Sequence, residues 1–387
     1  MHTPPARQVD THFFNDPALA AVLAALPGAR IVGGAVRDHL AGRAVADIDL
    51  ATPDPPDAVI ARLRAAGLKA VPTGLAHGTI TAVSHHRGFE ITTLRRDVLT
   101  DGRHAIVAFT DDWRADAARR DFTINALSMT PTGTVFDYFG GAADLAAGRV
   151  RFVGDPAARI AEDYLRILRF FRFHARYGSG TPDPAATAAI AAAVPGLACL
   201  SAERIWSELK RILAAPDPIP AITLMATLGV LPAILPEGTN IARLADLCAR
   251  EAPPDPLLRL AALLTGDPTA LAARLRLSLA ERDTLLALQT GPVPADTADD
   301  ATLRRALADE RPDILIARSW LAGRAPPLRA RLAATPRPIF PLHGRDLTTI
   351  AAGPAMGALL RDLRAWWLAG GCIADAAGCK AELAKRL

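Results

Sequence analysis

Side chains suited to phosphate chemistry crowd one short stretch of this 387-residue chain, IVGGAVRDHLAGRAVADIDLAT from Ile31 to Thr52. Gly33 and Gly34 stand at the start of a short helix-like segment. Glycines let backbone amides approach a phosphate closely, and a helix beginning there points its positive end at the same anion. Arg37 adds a charge that persists at any physiological pH. Asp47 and Asp49 lie two residues apart in a segment that, with Ile48 and Leu50, reads as a strand. Side chains alternate along a strand, so the two carboxylates share a face. Two hard oxygen ligands on one face suit Mg2+, which binds through one or two carboxylates together with substrate phosphates. Taken singly, a Gly-Gly step is a turn and an Asp-x-Asp a solvated edge. In this order and spacing they imply nucleotidyl transfer.

Three further sets of residues fit the same chemistry. Glu90, in GFEITTLR, alternates with Phe89 and Ile91 and so falls on the polar face of a strand. In RRDFTINA, Arg119 and Arg120 stand beside Asp121 and Asn125. That set can clamp a triphosphate and a ribose, because a guanidinium meets phosphate oxygens bidentately. Asp163 and Arg166, in EDYLRILRFFRF, are three apart on one helix face, the spacing of an ordinary ion pair. Their hydrogen-bond inventory opens another use, since a carboxylate only accepts and a guanidinium only donates. Cytosine and adenine each present an amino donor beside a ring-nitrogen acceptor, whereas uracil and guanine present the reverse. One Asp–Arg pair therefore accepts CTP and ATP and refuses UTP and GTP, at about 1–3 kcal/mol for a good bidentate contact. Arg169, Arg172 and Arg176 continue along that helix, lining an RNA cleft or solvating one face. His77 has no histidine at ligand spacing and reads as an ordinary side chain.

These residues need elements to hold them. Residues 16–27 and 54–66 read as helices, the second ended by Gly67. LKAVPT and GTITAVSHHRGFEITTLR read as strands, and the polar segment Asp97–Asp116 as a mobile loop. Beyond Val150 strand signals nearly vanish. Helices are expected over 156–177, after Ser201, and over 221–231, 255–264, 268–277 and 279–289, the last opened by the capping pair Ser278 and Glu281. Residues 290–302 have linker composition, and a Pro-rich break falls near 336–341. The expected fold class is α+β: an α/β head over 1–145, then a helical neck (146–215), body (216–300) and tail (301–387).

Half of the residues are hydrophobic, enough for packed cores, and the net charge of +4 is too small to argue for nucleic acid by itself. Cys199, Cys248, Cys372 and Cys379 lack metal-ligand spacing and fit a reducing cytoplasm. The first residues lack the apolar core of a secretory signal, and no apolar run approaches a membrane span. A soluble cytoplasmic protein is expected.

GGAVRD, DIDLAT, FEITT, RRDFTINA and EDYLR, in this order, resemble the class II nucleotidyltransferases, the bacterial tRNA CCA-adding enzymes and poly(A) polymerases. The strong resemblance covers residues 30–215, with a weaker match at 339–370. It implies that Asp47, Asp49 and Glu90 are the catalytic carboxylates, with Asp47 and Asp49 binding metal and Mg2+ as cofactor. It places the nucleotide on Gly33, Gly34, Arg37, Arg119, Arg120, Asp121, Asn125, Asp163, Arg166 and Arg169, with the 97–116 loop helping to position it. The head is expected to carry a small antiparallel-type sheet. Glycines in the tail (Gly344, Gly353, Gly357) would approach RNA backbone. The implied activity is template-independent addition of CCA to the tRNA 3′ end from CTP and ATP, with no membrane and no obligatory protein partner. Poly(A) polymerase activity, or addition of only CC or A, shares the same motifs. A non-catalytic RNA-binding descendant is expected to have lost carboxylates, and all three are present.

Overall fold

The computed structural model describes residues 7–10, 16–100, 105–347 and 353–386. The chain divides into two compact units, Met1–Pro236 and Glu237–Leu387.

The first unit begins with β1 (Arg7–Gln8), α1 (Pro17–Ala25), β2 (Arg30–Val32), α2 (Gly34–Leu40), β3 (Asp49–Thr52) and α3 (Pro56–Ala65). β4 (Lys69–Gly74), β5 (Thr79–Ser84), β6 (Arg87–Thr93), β7 (Arg95–Thr100), β8 (Ala105–Phe109) and α4 (Trp113–Ala118) follow. β9 (Leu127–Met129), β10 (Thr134–Asp137) and α5 (Gly141–Ala146) complete the α/β part. Among the described residues the strands form an eight-stranded sheet in the order β1-β10-β9-β2-β3-β6-β5-β4. The sheet is therefore larger than expected and mixed, because β3 pairs with β6 in parallel. Ile31, Leu50, Ile80, Phe89, Ile91 and Met129 form its apolar face and pack against Leu19 and Val22 of α1 and Val59 and Leu63 of α3. Val32, Ala51 and Leu94 make a smaller apolar patch with Trp113.

After the sheet come α6 (Pro156–Glu162), α7 (Leu165–Tyr177), α8 (Pro184–Ala193), α9 (Ala202–Leu213), α10 (Ile219–Thr227) and α11 (Val230–Ile234). Asp-Pro pairs start several helices. Asp16, Asp155 and Asp183 each accept a backbone N–H two or three residues on, at 2.8–2.9 Å, with proline in the first turn. Ser201 takes the cap position of α9 without a side-chain cap bond. A knot of aromatics ties α7 to the α/β part. Phe122 lies 4.8 Å from Phe152 and 5.3 Å from Phe173, ring centre to ring centre, and Phe152 stacks on Phe170 at 6.1 Å.

The second unit is helical from Ile241–Ala249 to Ala376–Ala384. Ser278 and Glu281 form the expected capping box. Residues 290–299 lie inside this unit, and Leu303, Leu307, Leu315, Leu328 and Leu332 pack just beyond them. A further core gathers Leu347, Leu363, Trp367 and Cys379. Of the tail stretch that carries the three glycines, residues 348–352 lie outside the described residues. Among the described residues no helix is long and apolar enough to cross a membrane.

Three expectations need correction. The strand carrying the aspartate pair begins at Asp49, so Asp47 stands just before it. Residues 156–177 form two helices broken at Asp163, whose backbone is extended (φ −158°, ψ 108°), so Asp163 and Arg166 do not share a helix face. Much of 97–116 is not loop: β7 and β8 pair as an antiparallel hairpin and α4 follows. Its polar tip, 101–104, lies outside the described residues.

Candidate active site

Asp49 and Glu90 stand side by side on the adjacent inner strands β3 and β6, where they form an exposed carboxylate edge, and Asp47 lies two residues before β3. In the parallel pair β3·β6, Asp49 stands in register with Glu90, and Leu50 with Ile91. Pleating sends Leu50 and Ile91 into the core and leaves Asp49 and Glu90 exposed on the other side. Asp49 is accessible from its open side, yet the protein packed behind it raises its carboxyl above the usual range. The Glu90 charge adds to that rise and Asp47 contributes, while Arg120 opposes it. Among the described residues no three His, Cys, Asp or Glu side chains form a ready metal cage. A magnesium ion does not need one, since it keeps waters and takes oxygens from substrate phosphates. Burial first and the neighbouring Glu90 charge second raise the Asp49 carboxyl, and the carboxylate oxygens present are donors that fit a hard divalent cation.

Beside this edge is a cavity of about 620 Å³, within the range of small-molecule sites. Every residue predicted to bind the nucleotide lines it: Gly33, Gly34, Arg37, Arg119, Arg120, Asp121, Asn125, Asp163, Arg166 and Arg169. Gly33 precedes α2 with φ 64°, and a Cβ there would come within 2.8 Å of Arg120 Nη1. Both the left-handed backbone and the close guanidinium require glycine at this position.

The charges of the cavity are mostly paired. Arg37, nearly buried, donates from Nη1 to Asn125 Oδ1 (2.6 Å) and from Nε and Nη2 to Asp38 Oδ1 (3.0 Å each). Asn125 in turn donates to Asp121 Oδ1 at 3.0 Å. Asp121 Oδ2 accepts from Arg169 Nε at 2.7 Å. Burial would raise the Asp121 carboxyl, but the Arg169 guanidinium and the donors Asn125 and Phe122 N–H hold it below the usual range. Arg119 and Arg120 follow directly on α4, and both bond Asp116 within it. Burial pulls the Arg120 guanidinium below its ordinary value, with Asp116 opposing.

Asp163 and Arg166 are each held by a different partner. Asp163 Oδ2 accepts from Arg204 Nη2 at 2.7 Å, and its Oδ1 accepts from Leu165 N–H at 3.0 Å. Arg166 Nη1 donates to the Arg159 carbonyl at 2.7 Å and bonds Glu162. The helix break between α6 and α7 leaves both heads at the same cavity. Sequence reasoning did not single out Arg95, Phe173 or Arg204, which also line it. Arg95 closes the quoted run GFEITTLR and Phe173 closes EDYLRILRFFRF, but neither was given a role. Arg204, in SAERIW, carries no local signal of its partner 41 residues upstream.

A parallel-paired carboxylate edge beside an arginine-lined cavity defines a nucleotidyltransferase. Residues 29–151 match the family described as "Poly A polymerase head domain", and residues 181–241 match "Probable RNA and SrmB- binding site of polymerase A". The mouse mitochondrial CCA tRNA nucleotidyltransferase 1 is 40% identical over 356 residues, 87% of this chain and 82% of the relative. The human counterpart is 40% identical over 357 residues, with the same shares. The crystal structure of the Bacillus stearothermophilus CCA-adding enzyme in complex with CTP superposes with a TM-score of 0.76 at 26% identity, covering 96% of this chain and 98% of that one. This chain belongs to the CCA tRNA nucleotidyltransferase family.

Proposed function

We infer that this chain rebuilds the 3′ end of tRNA, adding cytidine and adenosine from CTP and ATP with no nucleic-acid template. The observation that carries the reading is the separate bracing of Asp163 and Arg166 at the wall of the arginine cavity. A carboxylate and a guanidinium locked onto each other would turn their free edges away from a base, whereas separate partners hold each head in place with acceptor or donor sites left over. Asp163 keeps lone pairs for the amino group of cytosine or adenine, and Arg166 keeps an N–H for the ring nitrogen. Uracil and guanine would bring a carbonyl against the carboxylate and an N–H against the guanidinium.

Arg119, Arg120 and Arg169 surround the triphosphate, and the Gly33 turn leaves room for it beside Arg120. Asp121 and Asn125 orient Arg169 and Arg37 and face the ribose. Asp47, Asp49 and Glu90 would hold divalent cations, Mg2+ by preference, whose chemistry is activation of the RNA 3′-hydroxyl and neutralisation of the departing pyrophosphate. Residues up to about 145 would be the catalytic head, 146–215 the base-reading neck, 216–300 the body and 301–387 the tRNA-holding tail. The four cysteines are spaced without a pairing or metal-ligand pattern, and a cytoplasmic location is part of this reading. The mouse and human relatives are named mitochondrial.

The relatives that span most of the chain carry the CCA name, so polyadenylation is the less supported activity. Incubation with tRNA lacking its 3′ end and each NTP, followed by product sequencing, tests the reading. CCA and nothing longer is expected. An adenosine tail, or incorporation of UTP and GTP as readily as CTP and ATP, would overturn it.

A further inference from the structure

We propose that a second arginine cavity, away from the nucleotide, binds backbone phosphates of the RNA substrate; this rests on the tRNA reading above. The cavity, of about 360 Å³, lies where α2 and α7 end, over the apolar floor of α5 (Ala142, Leu145 and Ala146). Arg7, Arg43 and Arg176 line it, and no acidic residue does. Among the described residues none of the three has a carboxylate partner. The one hydrogen bond that links them runs from Arg43 Nη2 to the Arg176 carbonyl, at 2.6 Å.

Tyr177 brings two of these charges, Arg43 and Arg176, together with Arg37. Its ring centre lies 4.5 Å from the Arg37 guanidinium, 5.0 Å from Arg43 and 5.9 Å from Arg176, while its hydroxyl donates to Asp38. Gathering guanidiniums without acids costs folding energy, and a polyanion relieves that repulsion when it binds.

The charge does not stop at one cavity. A neighbouring space of about 440 Å³ shares Arg176 and Tyr177 with it and adds Arg172 and Arg211. Both of these arginines lean on a single oxygen of Glu208, at 3.2 and 3.4 Å, and the other oxygen is buried without a partner. That same space, where Asp38 also sits paired with Arg37, shares Arg37 and Phe173 with the nucleotide cavity, and its arginines outnumber its one acid. A positive seam thus runs from the nucleotide past Tyr177 to Arg43 and Arg7. A free nucleotide would occupy one cavity, whereas a ribose–phosphate chain can follow all three, and a covalently continuous ligand suits contiguous sites.

The test uses the full chain with Arg7→Ala, Arg176→Ala and the double variant. Binding of tRNA lacking CCA is titrated between 50 and 200 mM salt, beside KM for CTP. Each lost phosphate contact should reduce the slope of log K against log salt by about 0.7–0.9, and the double variant should bind tRNA about tenfold more weakly. KM for CTP should stay unchanged, and Arg176→Lys should retain most of the affinity. Unchanged slope and affinity together with a lower Tm would mean that the arginines only serve the carbonyl ends of α2 and α7, and the proposal fails. A parallel rise in KM for CTP would make the cavity part of the nucleotide site and overturn it equally. A wild-type chain that binds RNA but extends no tRNA would refute the tRNA reading instead, and the salt slopes would still report the seam.

Discussion

On the reading proposed above, the carboxylate edge and the nucleotide cavity serve one substrate, yet they are built on opposite electrostatic plans. At the edge, Asp49 and Glu90 stand in register with Asp47 two residues away, and burial, with the Glu90 charge adding to it, raises the Asp49 carboxyl. The cavity has charges of both signs, and Asp121–Arg169, Arg37–Asp38, Asp163–Arg204 and Arg166–Glu162 are joined before any substrate arrives. On that reading the edge awaits a cation's counter-charge. The cavity has met its desolvation cost during folding and holds its donors fixed for an incoming nucleotide. Affinity for metal and selectivity for base should therefore respond to different mutations.

The sharpest division should come from the edge. Asp47→Ala or Asp49→Ala should cut incorporation of labelled ATP by at least about a hundredfold while the circular dichroism spectrum stays unchanged. Near wild-type incorporation in either variant would remove the carboxylates from catalysis. In the cavity the order reverses, and stability should suffer first. Asp121→Ala leaves the Arg169 guanidinium without its partner, at about 3–5 kcal/mol in urea unfolding. Because the Asp121 carboxyl is held below its ordinary value, that contribution is full above the unfolded carboxylate value and lost as pH falls through the depressed one. The variant's unfolding free energy should accordingly vary less with pH at the acid end.

Asp163→Ala or Arg166→Ala should relax discrimination against UTP and GTP by about ten- to a hundredfold while chemistry persists, read from four-NTP competition on a tRNA acceptor. Preference unchanged in both variants would make the two residues structural. The smallest effect separates the regions most finely. Asp49 has a raised carboxyl, so its ionised form opposes folding at neutral pH, and that penalty disappears as pH falls through the raised value. Asp49→Asn should raise Tm slightly in metal-free buffer at pH 7 and leave it unchanged in acid. A lower Tm at pH 7 would contradict the repulsion at this edge.

Local rules carried the sequence a long way. Alternation alone placed Glu90 between buried Phe89 and Ile91, and Ser278 with Glu281 announced a capping box that is present. The ten nucleotide-site residues, named from motifs, line one cavity. Most of what escaped was set by distant contacts. The break at Asp163 follows from Arg204 and the Leu165 N–H gripping its carboxylate, and periodicity across 156–177 has no term for a partner in α9. The hairpin β7–β8 was missed because the acidic residues of 97–116 masked the wholly apolar run AIVAF that forms β8. Asp47 and Asp49 looked like one strand face, yet the ladder begins only where β2 is available to pair.

The separate bracing of Asp163 and Arg166 also bears on how such a protein can evolve. On the reading proposed above, switching to uracil and guanine means reversing the two polarities. Replacing Asp163 with a cation would set it against Arg204, and replacing Arg166 with an acid would set it against Glu162. Each single step toward the opposite alphabet meets a like charge at once, before any new base can reward it. Four positions would have to change together. The alphabet of this protein is then guarded less by the two residues that read it than by the two behind them, which make every short mutational path run uphill.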